Sequence, residues 1–357
     1  MILDVNNIIF TVNPSIEFIH ALDLVANKET MYKFFSDFYF TPSEDFKNTI
    51  ENMRSKLSRY IQNELRFFFQ WEPMKHTLGR IVEGHKNIKS VSSFIEFIEQ
   101  IHENELISYI SEQALYGISS DSSMSRNTDD EITNRIIEIL DNLDDDTTID
   151  KEKLREFAEN PLEIKSRLVL LMKQFYEKAY KQYETRILSI LEKAKSKYEN
   201  LYKENYASFD NEYLRVLPRD GWENLIIHIS YFTQIRIWNF DIKPQNRTKW
   251  ISLGMYSENY PIKKFIEAKV HNLIKVLSDK KRFEIIQILS KKPHCVSELA
   301  NALDLTSPTV CYHLNNMLSL DLVSMKRENA KTFYTLNKKV IRELLDSTSE
   351  ILLNENS

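Results

Sequence analysis

Lys281-Arg282-Phe283-Glu284-Ile285-Ile286-Gln287-Ile288-Leu289 opens the segment, Lys280 to Leu336, whose reading decides the fold of this chain. Apolar residues at 283, 285, 286, 288 and 289 predict a short buried helix, which Pro293 interrupts. Ser297 stands as an N-cap before Glu298-Leu299-Ala300-Asn301-Ala302-Leu303, and a turn through Asp304-Leu305 follows. Thr306 caps a second helix, Ser307 to Ser319, where Pro308 suits the first turn because its missing N–H would have had no partner there. Val310, Leu314 and Met317 share one face of that helix, leaving Ser307, Cys311, Tyr312 and Asn315 facing outward. Leu320 to Lys326 then reads as a strand, Arg327-Glu328-Asn329-Ala330 as a turn, and Lys331 to Leu336 as the returning strand.

Two short helices, a tight turn and a basic hairpin describe a winged helix-turn-helix, in which the second helix enters the DNA major groove and the hairpin reaches the backbone or minor groove. Val276-Leu277-Ser278-Asp279-Lys280-Lys281-Arg282, Val296-Ser297-Glu298-Leu299-Ala300 and Leu305-Thr306-Ser307-Pro308-Thr309-Val310-Cys311-Tyr312-His313-Leu314 resemble the winged-helix repressors of the arsenical-resistance (ArsR) family. That resemblance covers about the last quarter of the chain. More faintly, Phe10-Thr11-Val12-Asn13-Pro14-Ser15-Ile16-Glu17 followed by Ala21-Leu22 resembles the start of long bacterial regulators that carry an uncharacterised domain ahead of such a module.

The resemblance implies a DNA-binding transcriptional regulator, a repressor, acting as a homodimer on an inverted repeat of double-stranded DNA. Lys326, Arg327 and Lys331 on the wing would neutralise phosphates, which gives affinity without sequence information. Ser307, Thr309, Cys311, Tyr312 and Asn315 would read bases, with modest discrimination because no Arg offers guanine a bidentate contact. His313 either touches a phosphate or bonds the neighbouring turn. Relatives take metalloid through a Cys-x-Cys pair, because soft thiolates suit such ions. Here that position reads Cys295-Val296-Ser297, and the final helix, Lys338 to Leu352, has no His for the alternative zinc site of relatives. No metal and no cofactor is therefore expected. His294 beside Cys295 would need further ligands, and the bland reading of Cys295 is a small buried thiol.

At 357 residues the chain is long enough for two domains. Only five Gly and nine Pro favour a mainly α protein with minor β. Two cysteines, Cys295 and Cys311, suggest no disulfide framework and hence a cytoplasmic setting. Met1-Ile2-Leu3-Asp4 lacks the basic start of a signal peptide, no apolar run approaches the roughly 18 residues of a membrane span, and the sequon Asn246-Arg247-Thr248 is read as chance. The net charge of −5 divides unevenly: His271 to Leu345 carries +5, so the remainder carries −10. A basic module on an acidic body fits a chain of which one end meets phosphates.

Ahead of the module, residues 2–12 read as one or two strands ending at Pro14, and Ser15 to about Phe40 as helix with a break near Asn27. Ser43 caps a helix carrying Phe46, Ile50, Met53, Leu57, Tyr60, Ile61, Leu65 and Phe68, which ends in the cluster Phe67-Phe68-Phe69-Gln70-Trp71. Such aromatics are either core packing or a ligand pocket, the first being the commoner use. A further helix covers about Val91 to Tyr116. Gly117 to Asp130 reads as a loop, Glu131–Leu143 as an amphipathic helix, and Asp144-Asp145-Asp146 as a solvated acidic run that does not converge on a metal. Pro161 to Asn205 has no internal Pro or Gly, and its stripe from Leu168 to Leu201 implies one long helix, or two broken once. That stripe either joins two subunits as a coiled coil or is buried in its own domain. Asp220-Gly221 signals a turn, and Leu225–Tyr231, Ile235–Phe240 and Trp250–Met255 read as strands. Residues 1–260 thus form a helical α+β domain containing a small sheet, for sensing an unknown effector or for oligomerisation, and residues 261–357 the winged helix-turn-helix.

Enzyme motifs come close and fail. In Gly79-Arg80-Ile81-Val82-Glu83-Gly84-His85-Lys86, His85 separates the second Gly from the Lys and no Ser or Thr follows. His102-Glu103-Asn104-Glu105 is followed by Leu106 where a zinc-protease helix needs its second His. No Gly-x-Ser-x-Gly exists. No catalytic residue is assigned, and the chain is read as not an enzyme. The alternative is an enzyme, or a structural dimerisation domain, fused to an autoregulatory DNA-binding module.

Overall fold

The computed structural model describes residues 7–115, 129–143, 150–209, 213–214, 223–239, 248–259, 262–318, 320–328 and 331–353. The expected strand over Ile2–Val5, the Asp144-Asp145-Asp146 run, the Asp220-Gly221 turn and nearly all of the Gly117–Asp130 loop lie outside them. The fold is mainly α with minor β, in two compact units: residues 1–106 with 162–262, and residues 107–161 with 263–357.

The first unit is built on a four-stranded sheet. Its strands are β1 (Asn7–Thr11), β2 (Asn224–Ser230), β3 (Ile237–Asn239) and β4 (Thr248–Gly254), in the order β1-β2-β4-β3. β1, β2 and β4 run parallel, and β3 joins β4 antiparallel. α1 (Pro14–Ala26) is capped by the Asn13 side chain, which accepts from Ser15 N and Ile16 N. Twelve of its thirteen residues are buried, so no face of it is left for water. α2 (Lys28–Asp37) follows after the expected break at Asn27.

The single helix expected after Ser43 is two helices, α3 (Glu44–Ser55) and α4 (Arg59–Phe69). Ser58 caps the second through Ile61 N, and Leu57 stays buried at the joint, which is why the apolar spacing ran on unbroken in sequence. α5 (Glu72–Gly84) comes next. Likewise, Val91–Tyr116 divides into α6 (Val91–Gln100) and α7 (Glu103–Ala114), because Ile101 takes an extended backbone with ψ 144°. α7 straddles the division between the units.

The long helix after Pro161 is α10 (Pro161–Phe175), a π-helical turn (Tyr176–Tyr180) and α11 (Lys181–Glu204). Leu168, Met172, Phe175, Ala179, Ile187, Ala194 and Tyr198 are all buried within one chain, which favours the intramolecular alternative over a coiled-coil arm. The extra residue of the π turn advances the register, so Leu191 is buried and Ile190 only half-buried. α12 (Tyr206–Phe209) completes the helices of this unit.

One glycine is required by close approach. A Cβ at Gly254 would stand 2.1 Å from the Gln234 carbonyl oxygen, and Gln234 itself has φ 54°, in the left-handed region.

In the second unit, α8 (Asp129–Asp141) packs on α9 (Lys151–Glu159), with Thr133 Oγ1 donating to Ala158 O at 3.2 Å. The remainder is the winged helix-turn-helix: α13 (Ile262–Ser278), α14 (Lys280–Leu289), β5 (His294–Cys295), α15 (Val296–Leu303), α16 (Ser307–Leu318), β6 (Val323–Glu328), β7 (Lys331–Leu336) and α17 (Lys338–Leu353). Leu273, Ile285, Leu299, Val310, Leu314 and Tyr334 belong to its single core. Phe283, expected inside, is 44% exposed, because Ile285 and Leu289 fill the buried face of α14.

The cap of α15 is also corrected. Cys295 is the N-cap, held extended by its pairing with Phe333, and Glu298 reaches back to Cys295 N at 3.1 Å. Ser297 lies inside the helix, its Oγ 3.1 Å from Cys295 Sγ.

Candidate nucleic-acid interface

α16 starts where the sequence places it. Thr306 Oγ1 accepts from Thr309 N at 3.4 Å and lies 2.8 Å from Thr309 Oγ1, while the preceding turn bends through Asp304 at φ 53°. The tight turn needs that left-handed residue, a conformation Asp tolerates better than most side chains. Val310, Leu314 and Met317 are fully buried, which sets the rotation of the helix. Tyr312 is consequently 61% exposed and Asn315 is exposed beside it. Ser307, Thr309 and Cys311 are half-buried, and Cys311 packs against the core of the module.

His313 is the residue that does not join the outer face. It is buried, and Arg282 Nε points at its Nδ1 from 3.4 Å. Burial holds its pKa below the ordinary value, with Arg282 acting in the same direction and Asp279 against it. Arg282 was not singled out from sequence; the Asp279-Arg282 pair, three apart at the start of α14, was the available signal.

The wing is a two-stranded ribbon. β6 and β7 pair from Val323↔Leu336 to Glu328↔Lys331, so Arg327 and Glu328, expected in the turn, are strand residues. Only Asn329 and Ala330 separate the strands, and they lie outside the described residues. Lys326 and Lys331 have exposed side chains. Thr332 and Tyr334 are buried on the inner face of β7, and His294↔Tyr334 ties the ribbon to β5, giving the order β5-β7-β6.

Residues 279–325 match the family profile described as "Bacterial regulatory protein, arsR family". The chain carries an arsR-family helix-turn-helix. The arsR-family module is similar to the arsenical resistance operon repressor of Staphylococcus aureus, 25% identical over 83 residues, which are 23% of this chain and 80% of the repressor. It is also similar to the cadmium resistance transcriptional regulatory protein CadC of Listeria innocua, 28% identical over 83 residues, or 23% of this chain and 70% of that protein. The crystal structure of NolR from Sinorhizobium fredii shares 27% identity over 25% of this chain and 90% of NolR, with a TM-score of 0.21.

Within the arsR-family module, Cys295 is buried with Ser297 Oγ as its neighbour, and His294 Nδ1 lies 2.9 Å from Lys292 O. Among the described residues no group of three or more His, Cys, Asp or Glu side chains is placed to hold a metal. Outside the module, Gly79 is buried in the middle of α5, a continuous helix from Glu72 to Gly84, so the near-miss phosphate loop is not a loop. Among the described residues no helix is long and apolar enough to cross a membrane.

Proposed function

We propose that this chain is a cytoplasmic transcriptional repressor that binds an inverted-repeat operator in double-stranded DNA as a homodimer and needs no metal to do so. The observation that carries this reading is the joint presentation of Tyr312 and Asn315 on α16 and of Lys326 and Lys331 on the ribbon beside it. In the groove, Ser307, Thr309, Cys311, Tyr312 and Asn315 supply contacts to base edges, and Lys326, Arg327 and Lys331 contact phosphates. His313 serves from inside, as a packing residue that orients α16 through Arg282. Residues 261–357 act as the reader and residues 1–260 as the sensing body. An effector acts on the body by favouring one of two states. Metal independence is supported by the single thiol of Cys295-Val296-Ser297.

Selection of bound DNA from a random pool with the full chain tests the reading. Enrichment of two half-sites about 10 base pairs apart, or a multiple, supports it. A pool that stays random, or binding abolished by chelators, overturns it.

A further inference from the structure

Asp279 is the one residue between α13 and α14, and a chain of contacts runs from it to the middle of α16. Its Oδ1 accepts from Arg282 N at 2.9 Å, capping α14, and its Oδ2 stands 4.0 Å from Arg282 Nε. The same Nε faces His313 Nδ1 at 3.4 Å. A guanidinium does not give up its proton in a protein, so Arg282 is the donor and His313 Nδ1 the acceptor. The ring is therefore neutral, with its own proton on Nε2.

His313 is 8% exposed and lies between the buried Val310 and Met317 on the inner face of α16. Packing of those apolar side chains has no preferred direction, whereas a hydrogen bond does. The bond from Arg282 thus ties the rotation of α16 to the start of α14. Rotation is what places Tyr312 and Asn315, the residues on either side of this anchor, and the Tyr312 ring centre is 5.7 Å from that of His313. Two charged side chains act on the His313 ring, both from α14: Asp279 favours the imidazolium and Arg282 opposes it. On the other elements packed against α16, Glu298 of α15 is committed to Cys295 N and Lys326 of β6 is exposed. The titratable neighbour on α16 itself is Tyr312.

We infer that Arg282 is a positioning residue for DNA reading: it holds the neutral His313 ring, fixes the rotation of α16, and lets go when His313 takes up a proton, so that operator affinity falls on acidification. The inference rests on the DNA-binding reading above and adds to it a residue outside the interface and a proton that opposes binding. That proton comes from water and lands on Nδ1, the atom Arg282 Nε faces, which leaves two cations where one hydrogen bond stood. Phosphates alone predict the reverse, because a polyanion favours added positive charge and acid would tighten binding.

The test uses the full chain with the duplex it enriches from a random pool, and a scrambled duplex as reference. Arg282→Gln is expected to lower the preference for the enriched duplex about tenfold at neutral pH. The slope of log affinity against log salt stays that of the wild type, whereas loss of a phosphate contact would take about 0.9 from it. Between pH 7.5 and pH 5.5 wild-type affinity falls, by at most about tenfold per pH unit for one proton. His313→Gln, whose amide oxygen still accepts from Arg282, shows a flatter profile. Long-range proton–nitrogen NMR correlation of the histidine-labelled chain finds the His313 proton on Nε2, in the signal that His313→Gln lacks, and needs no DNA. If Arg282→Gln does not fold, the His313→Gln profile and the spectrum decide. Affinity that rises with acid, a profile unchanged in His313→Gln, or a proton on Nδ1 overturns the inference and leaves DNA binding standing. A pool that enriches nothing removes the DNA-binding reading and this inference with it.

Discussion

Tyr312 and His313 are neighbours in sequence, and the fold sends one out and the other in. A helix turns each successive side chain by about 100°, and that step carries His313 onto the buried face of Val310, Leu314 and Met317 while Tyr312 stays outside. Asn315→Ala is expected to change which base is preferred at one position without altering the dependence of affinity on salt, as selection from randomised operators would show. Replacing Lys326, Arg327 and Lys331 with Ala should instead flatten the slope of log affinity against log salt by roughly 0.9 per lost phosphate contact. An unchanged slope removes the wing from the account.

Histidines in the body make a second prediction at this scale. Burial first, then Lys75, lowers the pKa of His76 from 6.5 to about 4, and burial lowers that of His20 well below 6.5. Below pH 6.5 the unfolded chain takes up protons that the folded chain refuses, so stability is complete above that pH and falls as pH drops toward 4. His76 alone should cost about 2 kcal/mol between pH 7 and pH 5. Urea midpoints of the full chain at the two pH values measure this. His76→Asn should lose less stability over the same interval, and an equal loss would acquit His76.

At the scale of elements, the sheet of the body depends on a contact between two segments of backbone. Gly254 closes β4 against the turn containing Gln234, which also bonds Tyr256 N through its carbonyl at 2.9 Å. Gly254→Ala has no room, and a shift of the turn would strain the Tyr231 and Phe232 amides held by Glu17. A loss of about 3 kcal/mol is expected, read as a lower denaturant midpoint with an unchanged slope. In the module, the Glu298 carboxylate bonded to Cys295 N is the element-level counterpart. Glu298→Ala should cost about 1 kcal/mol and speed hydrogen exchange in the first turn of α15.

For the whole molecule, exposed Ile274 on α13 and Leu345 on α17 offer the proposed homodimer an apolar contact. Ile274→Asp with Leu345→Asp should turn a dimer into a monomer in sedimentation and shorten the footprint to one half-site. A dimer that survives both changes lies elsewhere.

The reader was legible because its signals are short-range. The cap at Thr306, the left-handed turn before it, the spacing of Val310, Leu314 and Met317 and the alternation along the ribbon all operate within a few residues. Misreadings there were local shifts: the first strand of the ribbon runs on to Glu328 instead of turning at Arg327, and the cap moved from Ser297 to Cys295 because a strand pairing held Cys295 extended, which no local signal carries. In the body, apolar spacing located most helices but ran through the joints at Leu57 and Ile101, since both joint residues are themselves buried. Nothing local announced that β1 would pair with β2, or that Asn13 would bond His228, 215 residues away. Glu17 and Lys75 carry no local signal of burial, and only long-range packing put them under cover, where Glu17 is answered by the Tyr231 and Phe232 backbone amides and Lys75 by Asp23 and Glu72. Periodicity and capping are properties of consecutive residues; the desolvation of a charge depends on what the rest of the chain lays over it.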